Sequence, residues 1–291
     1  MRYGSKSAML TLFTVPKAFV GHIGLIQRNA IRSWQACVPD AQIILFGCDE
    51  GVAEAATELG VEHCPSVRLS DYGAPMLDSI FAQVRARALH PILCFANSDI
   101  IFRGDLTPLA SLDRPFLAIG ESIDAELFEP ISFDNDHWRS SFADGVRTRG
   151  PFALDFFFFR RELYDDMPPF RIGRARYDNW MVWRALQQNA MVVDITHLLK
   201  AVHQRHDYAH LAGGRNEAYR GFDAHQNEKL AGIWCYFYLH NVHDARFVLT
   251  SSGLSRQPRK RLFLRQWRLR VLGLIRELLG LTAAPAKASL T

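Results

Sequence analysis

Three short segments of this 291-residue chain combine side chains that can bind a metal ion or move a proton. The first, Asn97-Ser98-Asp99, follows the apolar run Pro91–Ala96, which is typical of a buried strand. Mg²⁺ and Mn²⁺ prefer oxygen ligands and often share them with the phosphates of a substrate. We therefore interpret Asp99 as a metal ligand and Asn97, through its amide oxygen, as a contact to metal or sugar. The alternative is an ordinary turn, since Asn, Ser and Asp are common turn formers.

The second segment is Asp178-Asn179-Trp180, at the start of a run with helical spacing. An Asp in this position is most often an N-cap, which stabilises a helix by about 1 kcal/mol. The functional interpretation makes Asp178 a general base that deprotonates an acceptor hydroxyl. In that interpretation Asn179 orients the base and Trp180 forms a wall of the acceptor site.

The third segment is His203-Gln204-Arg205-His206. One of the two histidines could complete the coordination of the metal, because imidazole suits ions such as Mn²⁺. Arg205 could pair with a leaving diphosphate, since a guanidinium forms strong hydrogen bonds to phosphate oxygens. The alternative is a hydrogen-bonded surface segment, which is the more common setting for a single histidine.

Apolar and helical patterns predict the elements that hold these segments. Strands are predicted over residues 9–15, 42–46, 61–64, 92–96, 154–159 and 191–195, and helices over residues 19–34, 52–59, 75–88 and 178–189. Their alternation predicts an α/β fold with a doubly wound, mainly parallel sheet. Such sheets bind ligands beyond the carboxyl ends of their strands, so we expect the site at residues 14–17, 47–50 and 97–99.

Composition suggests one large domain in a reducing compartment. Hydrophobic residues make up 48% of the chain, and we place the domain at residues 8–255. The five cysteines are odd in number and form no C-x-x-C pair, which is typical of reduced thiols in the cytoplasm. Residues 1–8 do not resemble a signal peptide, and no apolar stretch reaches the ~20 residues of a membrane span. We therefore expect a cytoplasmic protein.

The C-terminal segment differs in charge from the rest of the chain. Residues 256–280 contain eight Lys or Arg and one Glu, whereas the whole chain has a net charge of +4, so the main domain is mildly acidic. This argues against a nucleic-acid partner of the domain. Residues 256–281 place apolar side chains at helical spacing between arginines, which predicts an amphipathic helix on an anionic membrane surface. A helix packed on the domain or on another subunit is the alternative, and residues 282–291 are predicted to be disordered.

Five motifs together resemble glycosyltransferases of the GT-A type, most nearly poorly characterised bacterial and plant glycosyltransferase-like proteins. The motifs are Thr14–Lys17, Asn97–Ile100, Asp155–Arg161, Asp178–Trp180 and His203–Tyr208, and the resemblance covers about residues 8–215. In that family an Asp-x-Asp triplet holds metal and diphosphate. This chain carries an Asn-Ser-Asp variant in which Asp99 matches the usual metal ligand. The resemblance implies a Rossmann-like, mainly parallel central sheet flanked by helices.

The resemblance also implies roles for individual residues. Thr14 and Pro16 would border the nucleotide base, and Asp49 and Asp78 would contact the base or the ribose. Asp99 would hold Mn²⁺ or Mg²⁺ together with His203 or His206. Further contacts implied to the donor are Asn97, Ser98 and Arg205, and those implied to the acceptor are Asp155, Asn179 and Trp180.

These features predict a glycosyltransferase, a hexosyl- or related transferase, that moves a sugar from a nucleoside diphosphate sugar, such as a UDP-sugar, to a hydroxyl of a glycan or glycolipid. The predicted reaction is metal-assisted and inverting, with Asp178 as base, while a retaining outcome stays open. The predicted setting is cell-surface polysaccharide or glycolipid assembly, with the protein peripheral on the inner face of the membrane.

Two other functions stay open at this stage. A nucleotidyltransferase would use a similar sheet, metal and carboxylates, but it should carry a glycine-rich phosphate loop, which residues 14–21 lack. A glycan-binding protein that kept the fold and lost the chemistry is the non-enzyme alternative, and Asn97 is its best support.

Overall fold

A computed structural model describes residues 10–134, 138, 148–206 and 214–257. Within these residues the strands are β1 (Leu10–Thr14), β2 (Gln42–Phe46), β3 (Glu62–Cys64), β4 (Ile92–Ala96), β5 (Ile100–Gly104), β6 (Phe116–Ile119), β7 (Ser122–Ala125), β8 (Phe156–Arg160), β9 (Met191–Asp194), β10 (Leu199–Gln204), β11 (Phe247–Thr250) and β12 (Gly253–Arg256). The α-helices are α1 (Gly21–Cys37), α2 (Val52–Leu59), α3 (Leu77–Arg87), α4 (Tyr177–Gln187), α5 (Gly214–Arg220) and α6 (Phe222–Phe237). No helix of this described part is long and apolar enough to cross a bilayer.

Nine strands form one central sheet in the order β12-β11-β9-β6-β8-β4-β1-β2-β3. Strand β1 pairs in parallel with both β2 and β4, while β8 lies antiparallel between β4 and β6. The predicted α/β class, with a mainly parallel central sheet flanked by helices, is confirmed. A second sheet, with the order β5-β10-β7, has no counterpart in the sequence-based prediction.

The core occupies both faces of the central sheet. In β8 the four consecutive phenylalanines are all buried, and they alternate between two clusters: Phe156 and Phe158 face one, Phe157 and Phe159 the other. Successive side chains of a strand point to opposite faces, so an unbroken apolar run marks a strand covered on both sides. The polar residues Asn97 and Asp155 accordingly stand just beyond the ends of β4 and β8.

Candidate active site

A cavity of about 590 Å³ lies at the carboxyl ends of β1 and β4. Because β8 runs antiparallel to β4, the amino end of β8 reaches the same edge and brings Asp155 beside Asn97. The first turn of α4 and the end of β10 complete the lining. Of the residues predicted for the site, the cavity is lined by Thr14, Asn97, Ser98, Asp99, Asp155, Asp178, Asn179, His203 and His206.

The Asn97-Ser98-Asp99 segment is a tight turn between β4 and β5. The Ile100 N–H donates to the Asn97 carbonyl over 3.2 Å, and the Asn97 N–H donates to the Asp155 carbonyl over 2.9 Å. The Asn97 side-chain amide also donates to Asp155 Oδ1, at 3.2 Å. The segment is therefore a turn, as one interpretation predicts, and this turn also places Asp99 in the cavity lining, as the other interpretation requires.

Ser98 links this turn to the loop after β1. Its hydroxyl donates to Gln27 Oε1 over 2.8 Å, and the same oxygen accepts the Lys17 N–H at 2.8 Å. The Gln27 amide nitrogen returns a bond to the Lys17 carbonyl at 2.9 Å. Gln27 is fully buried, so it fixes the Lys17 loop relative to the turn, and Ser98 has a positioning role in this arrangement.

Asp99, His203 and His206 form a compact cluster in which one ligand atom from each residue lies within 4.8 Å of the others. His206 Nε2 is 2.8 Å from Asp99 Oδ2, and His203 Nε2 is 3.6 Å from the same oxygen. The cluster forms because β10 pairs antiparallel with β5, which sets His203 opposite Ile100, the residue after Asp99. The two histidines, which the sequence presents as alternative ligands, therefore both lie in this cluster.

The donor set of this cluster fits a divalent cation. One carboxylate and two imidazoles are ligands that Mn²⁺ and similar ions accept. Asp99 Oδ1 is buried and has no hydrogen-bond partner within the described residues, so one strong acceptor remains to be satisfied. Burial opposes ionisation of Asp99, but the hydrogen bond with His206 and the nearby cationic groups lower its pKa to about 2. The carboxylate is therefore ionised and ready to act as a ligand.

Asp124 on β7 is a second carboxylate that contacts His203, at the ring nitrogen that does not face Asp99, and it orients the ring. Its Oδ1 lies 2.9 Å from His203 Nδ1, so that Nε2 of the same ring faces Asp99. Arg149 joins this network, because its Nε is 3.3 Å from Asp124 and its Nη1 pairs with Asp155. Despite its burial, the pKa of Arg149 is raised by these carboxylates. The second sheet thus supplies His203 together with Asp124, the carboxylate that orients it.

We predict that Asp124→Asn weakens Mn²⁺ binding by roughly 10- to 100-fold, since partners that orient a metal-binding histidine have effects of this size. Titration of the metal-free protein with Mn²⁺, followed by calorimetry, measures the affinity directly. Glu126→Gln is the matched control, because Glu126 pairs with Arg205 at the surface. Equal affinities of wild type and Asp124→Asn would remove this role from Asp124.

Asp178 lies in the first turn of α4 and lines the cavity. It is not the N-cap, since the helix begins at Tyr177 and the capping position belongs to Arg176. Burial raises the pKa of Asp178 to about 6, and the negative charge of Asp155 acts in the same direction. Hydrogen bonds from backbone N–H groups and the charge of Arg176 oppose this rise. A carboxylate with such a pKa is suited to accept a proton near neutral pH.

Arg176 holds the backbone just before Asp178 in an unusual conformation. Its φ of 92° lies in the left-handed region, which costs a non-glycine residue free energy and recurs at functional sites. Its guanidinium donates two hydrogen bonds to Glu228 Oε1 on α6, at 2.7 and 3.1 Å. This anchor sets the direction in which α4 starts and so the placement of Asp178.

Asn179 and Trp180 have packing roles in the structure. The Asn179 side chain donates to the His240 carbonyl over 2.8 Å, and its backbone N–H donates to Asp178 Oδ1 over 2.8 Å. Asn179 therefore orients Asp178 through the main chain. Trp180 is buried against Phe170 and Trp183 and is absent from the cavity lining, so it is not brought to the acceptor wall.

Four further predicted contacts are likewise not brought to the cavity. Pro16 is buried beside it, and Asp49 is exposed after β2. Asp78 pairs with Arg68 at the start of α3. Arg205 pairs with Glu126 at 2.6 Å, with both side chains more than half exposed.

The cations that line the cavity are Lys17, Arg149, Arg174 and Arg176. The sequence motifs predict Arg205 as the diphosphate contact and do not indicate Arg149, Arg174 or Arg176. The signal available in the sequence is the pair Arg174 and Arg176 just before Asp178, whereas Arg149 lies six residues before the Asp155–Arg161 motif, in a stretch without a pattern of its own. Arg149, Arg174 and Arg176 are each held by a carboxylate, namely Asp155, Glu217 and Glu228. Fixed cations of this kind beside an acid–imidazole cluster suit an anionic, phosphate-bearing ligand.

Comparison with known proteins yields structural neighbours only. No protein-family model and no curated protein sequence matches the chain. Residues 1–349 of TarS from S. aureus superpose with a TM-score of 0.44 and 8% identity, over 67% of this chain and 60% of that chain. The chain thus spans less than two thirds of that neighbour.

Two other solved structures overlap in the same partial way. Glucosyl-3-phosphoglycerate synthase from Mycobacterium tuberculosis, in complex with Mg²⁺ and UDP, has a TM-score of 0.41 and 12% identity, covering 69% of this chain and 73% of that one. The glycosyltransferase GlyE of Streptococcus pneumoniae TIGR4 has a TM-score of 0.30 and 15% identity, covering 54% and 35%. Because all three scores are below 0.5, the function has to be inferred from the side chains of the cavity.

Several predicted features lie outside the described residues. They include the last two residues of the His203–Tyr208 motif and, from residue 258 onward, the predicted basic helix and the C-terminal tail. Arg256, where that helix is predicted to begin, is instead the last residue of β12.

Proposed function

We propose that this chain is a metal-dependent glycosyltransferase that moves a sugar from a nucleoside diphosphate sugar to a hydroxyl acceptor. One observation carries the proposal. The same cavity holds the Asp99–His203–His206 cluster, four cationic side chains and Asp178, whose pKa is raised to about 6. A glycosyl transfer from such a donor requires a charge-stabilised leaving diphosphate and a base for the incoming hydroxyl.

Each group has a role in that reaction. A divalent cation bound by Asp99, His203 and His206 would act as a Lewis acid on the leaving diphosphate. Lys17, Arg149, Arg174 and Arg176 hold the remaining phosphate charge. Asp178 accepts the proton of the acceptor hydroxyl as the new glycosidic bond forms and the bond to the diphosphate breaks. Burial of the carboxylate supplies the basicity that this proton transfer needs.

The finer assignments extend this proposal. We assign a UDP-sugar as donor and Mn²⁺ as the preferred metal, since imidazole ligands favour Mn²⁺ over Mg²⁺. A single base on the acceptor side favours inversion at the anomeric carbon. Thr14 borders the base of the nucleotide, Asn97 contacts the donor, and Asp155 contacts the acceptor. Polysaccharide or glycolipid assembly on the inner face of the membrane is the setting that we propose.

The test is a donor panel. Purified protein is incubated with UDP-, GDP-, ADP-, CMP- and dTDP-sugars and Mn²⁺, and release of the free nucleotide is measured with and without acceptor sugars. The proposal expects metal-dependent nucleotide release from one class of donor, at least tenfold above a sample treated with chelator. Release of pyrophosphate from a sugar phosphate and a nucleoside triphosphate would indicate a nucleotidyltransferase instead.

The membrane contact of the basic segment is a separate proposal. We expect that removing residues 258–291 changes the melting temperature of the domain by no more than about 3 °C. The same truncation should abolish co-flotation with vesicles that contain about 30% phosphatidylserine. Neutral phosphatidylcholine vesicles are the matched control, since the electrostatic attraction requires anionic lipid. Flotation of the truncated chain equal to that of the full chain would contradict the proposal.

A further inference from the structure

An exposed aromatic pair lies where the loop before α3 meets the start of α6. The rings of Tyr72 and Phe222 are 5.1 Å apart between centroids and inclined by 43°. Tyr72 is 63% exposed and Phe222 is 54% exposed. Leu69, on the same loop, is exposed as well. We call Leu69, Tyr72 and Phe222 the aromatic platform. Large apolar groups that lie together in solvent usually mark a binding surface.

The platform is rigidly built. Ser70 closes the loop, because its hydroxyl accepts the Ala74 N–H at 3.1 Å and its own N–H donates to the Ala74 carbonyl at 2.8 Å. The same hydroxyl donates to Asp223 Oδ2 over 2.8 Å, which ties the loop to the residue after Phe222. Asp223 is buried, and Arg171 Nε lies 3.4 Å from its other oxygen. A loop held by this many polar contacts presents its aromatic side chain in a fixed place, which lowers the entropic cost of binding.

The platform lies near the candidate active site. Tyr219 on α5 lines the cavity and is itself 52% exposed, and Phe222 follows it by three residues. Three residues of chain span at most about 11 Å, so the Cα atom of Phe222 lies within that distance of the Cα atom of Tyr219, a residue of the cavity wall. An extended ligand that leaves the cavity past Tyr219 therefore has the platform within reach.

We propose that the aromatic platform is an acceptor subsite that binds the sugar rings of an oligosaccharide beyond the ring that reacts in the cavity. The platform proposal rests on the proposed function, because that function assigns the cavity to the donor and the reacting end of the acceptor. The chemistry fits, since the C–H face of a pyranose is apolar and slightly positive and stacks on the negative face of an aromatic ring. The proximity of the platform to the cavity-lining Tyr219 favours a glycan over a second copy of the chain or a lipid surface as the occupant.

The experiment compares binding of oligosaccharides by wild type and by Tyr72→Ala, Phe222→Ala and the double variant. The probes are soluble α- and β-linked oligomers of glucose, mannose and N-acetylglucosamine with one to six units, titrated by calorimetry in the presence of UDP and Mn²⁺. Leu89→Ala is the control, because Leu89 is an exposed apolar residue outside the cavity and the platform. Melting temperatures verify that each variant folds.

We expect one oligomer series to bind more tightly with length in wild type, and the double variant to lose at least tenfold of that affinity while UDP binding stays within twofold. Equal glycan affinity in the double variant, or no binding of any oligomer while UDP binds, would overturn the platform and leave the transferase proposal standing. Glycan binding that depends on the platform in a protein that binds no nucleotide would support the platform and defeat the transferase. A dimer of wild type that the double variant converts to monomer, with glycan affinity unchanged, would overturn the platform as a glycan subsite.

Discussion

Replacing Asp99 with Ala is expected to reduce turnover by about 10³-fold or more and to abolish stabilisation of the protein by Mn²⁺. The carboxylate is the one anionic ligand of the cluster, and the remaining histidines are neutral when they coordinate. Loss of the metal removes several kcal/mol of stabilisation from a leaving diphosphate, which corresponds to a rate loss of this size. Turnover with a matched donor and the Mn²⁺-dependent shift in melting temperature measure the two effects independently.

Asp113→Asn is the control for this variant. Asp113 is an exposed aspartate outside the cavity, so its replacement removes the same charge without touching the cluster. A metal-dependent shift that survives in Asp99→Ala would contradict the ligand role. A shift that is lost while turnover is kept would show that the reaction does not need the cation at this site.

Asp178→Asn is expected to lower turnover by about 10²- to 10⁴-fold, the range that a positioned general base contributes. Nucleotide affinity should stay within threefold, because Asp178 acts on the acceptor. The melting temperature at pH 8 should rise, since burial disfavours the charged form that Asn eliminates. A variant that loses activity while gaining stability separates a catalytic role from a structural one.

The pH dependence follows from the same group. The pKa of Asp178 is raised to about 6, so the carboxylate is ionised and basic above that pH and protonated below it. We expect turnover of wild type at saturating Mn²⁺ to be level from pH 7 to 8 and to fall about tenfold per pH unit below 6. Asp165→Asn, an exposed acid on the surface, should reproduce the wild-type profile. Unchanged turnover in Asp178→Asn would assign the base to another residue.

Much of the central sheet could be predicted because its strands are buried on both faces. β2, β4 and α2 begin and end at the predicted residues. The apolar runs that form such strands are hard to confuse with surface segments, and the turn residues that follow them are polar. Gly60, with a φ of +65°, ends α2 as predicted, since only glycine adopts this conformation without strain. The predicted polar strand ends at Thr14 and Asn97–Asp99 accordingly line one cavity.

The second sheet could not be predicted in the same way. β7 has only four residues, and the partly exposed Lys200 and His203 fall on opposite faces of β10, so neither strand has a strong apolar signal. This sheet is what brings Asp124 to His203 and both histidines to Asp99. Contacts between residues more than 70 positions apart in sequence, such as that of Asp124 with His203, require knowledge of strand pairing that local patterns do not contain.

Charged residues were the hardest to place. Arg205 and Asp78 looked suited to a ligand by type, yet each lies in an ion pair that leaves it away from the cavity lining. Arg149 occupies the interior of the site because Asp124 and Asp155 offset the cost of burying its charge. Trp180 follows the helical period into the core, since the start of α4 at Tyr177 turns that position inward. The type of a side chain indicates which chemistry it can perform, whereas its burial and its ion-pair partners decide whether it lies in the cavity.

The most direct test of the central claim, that this cavity binds a nucleoside diphosphate through a metal, is thermal stabilisation. The melting temperature is measured with UDP, GDP, ADP, CDP and dTDP, each with and without Mn²⁺, for wild type and Asp99→Ala. Ligands that bind the native state stabilise it by mass action, by about 2.7 kcal/mol at a concentration 100 times the Kd, and so raise the melting temperature. The account predicts a Mn²⁺-dependent shift with one nucleotide that disappears in Asp99→Ala. No shift with any nucleotide, or an equal shift in the variant, would contradict it.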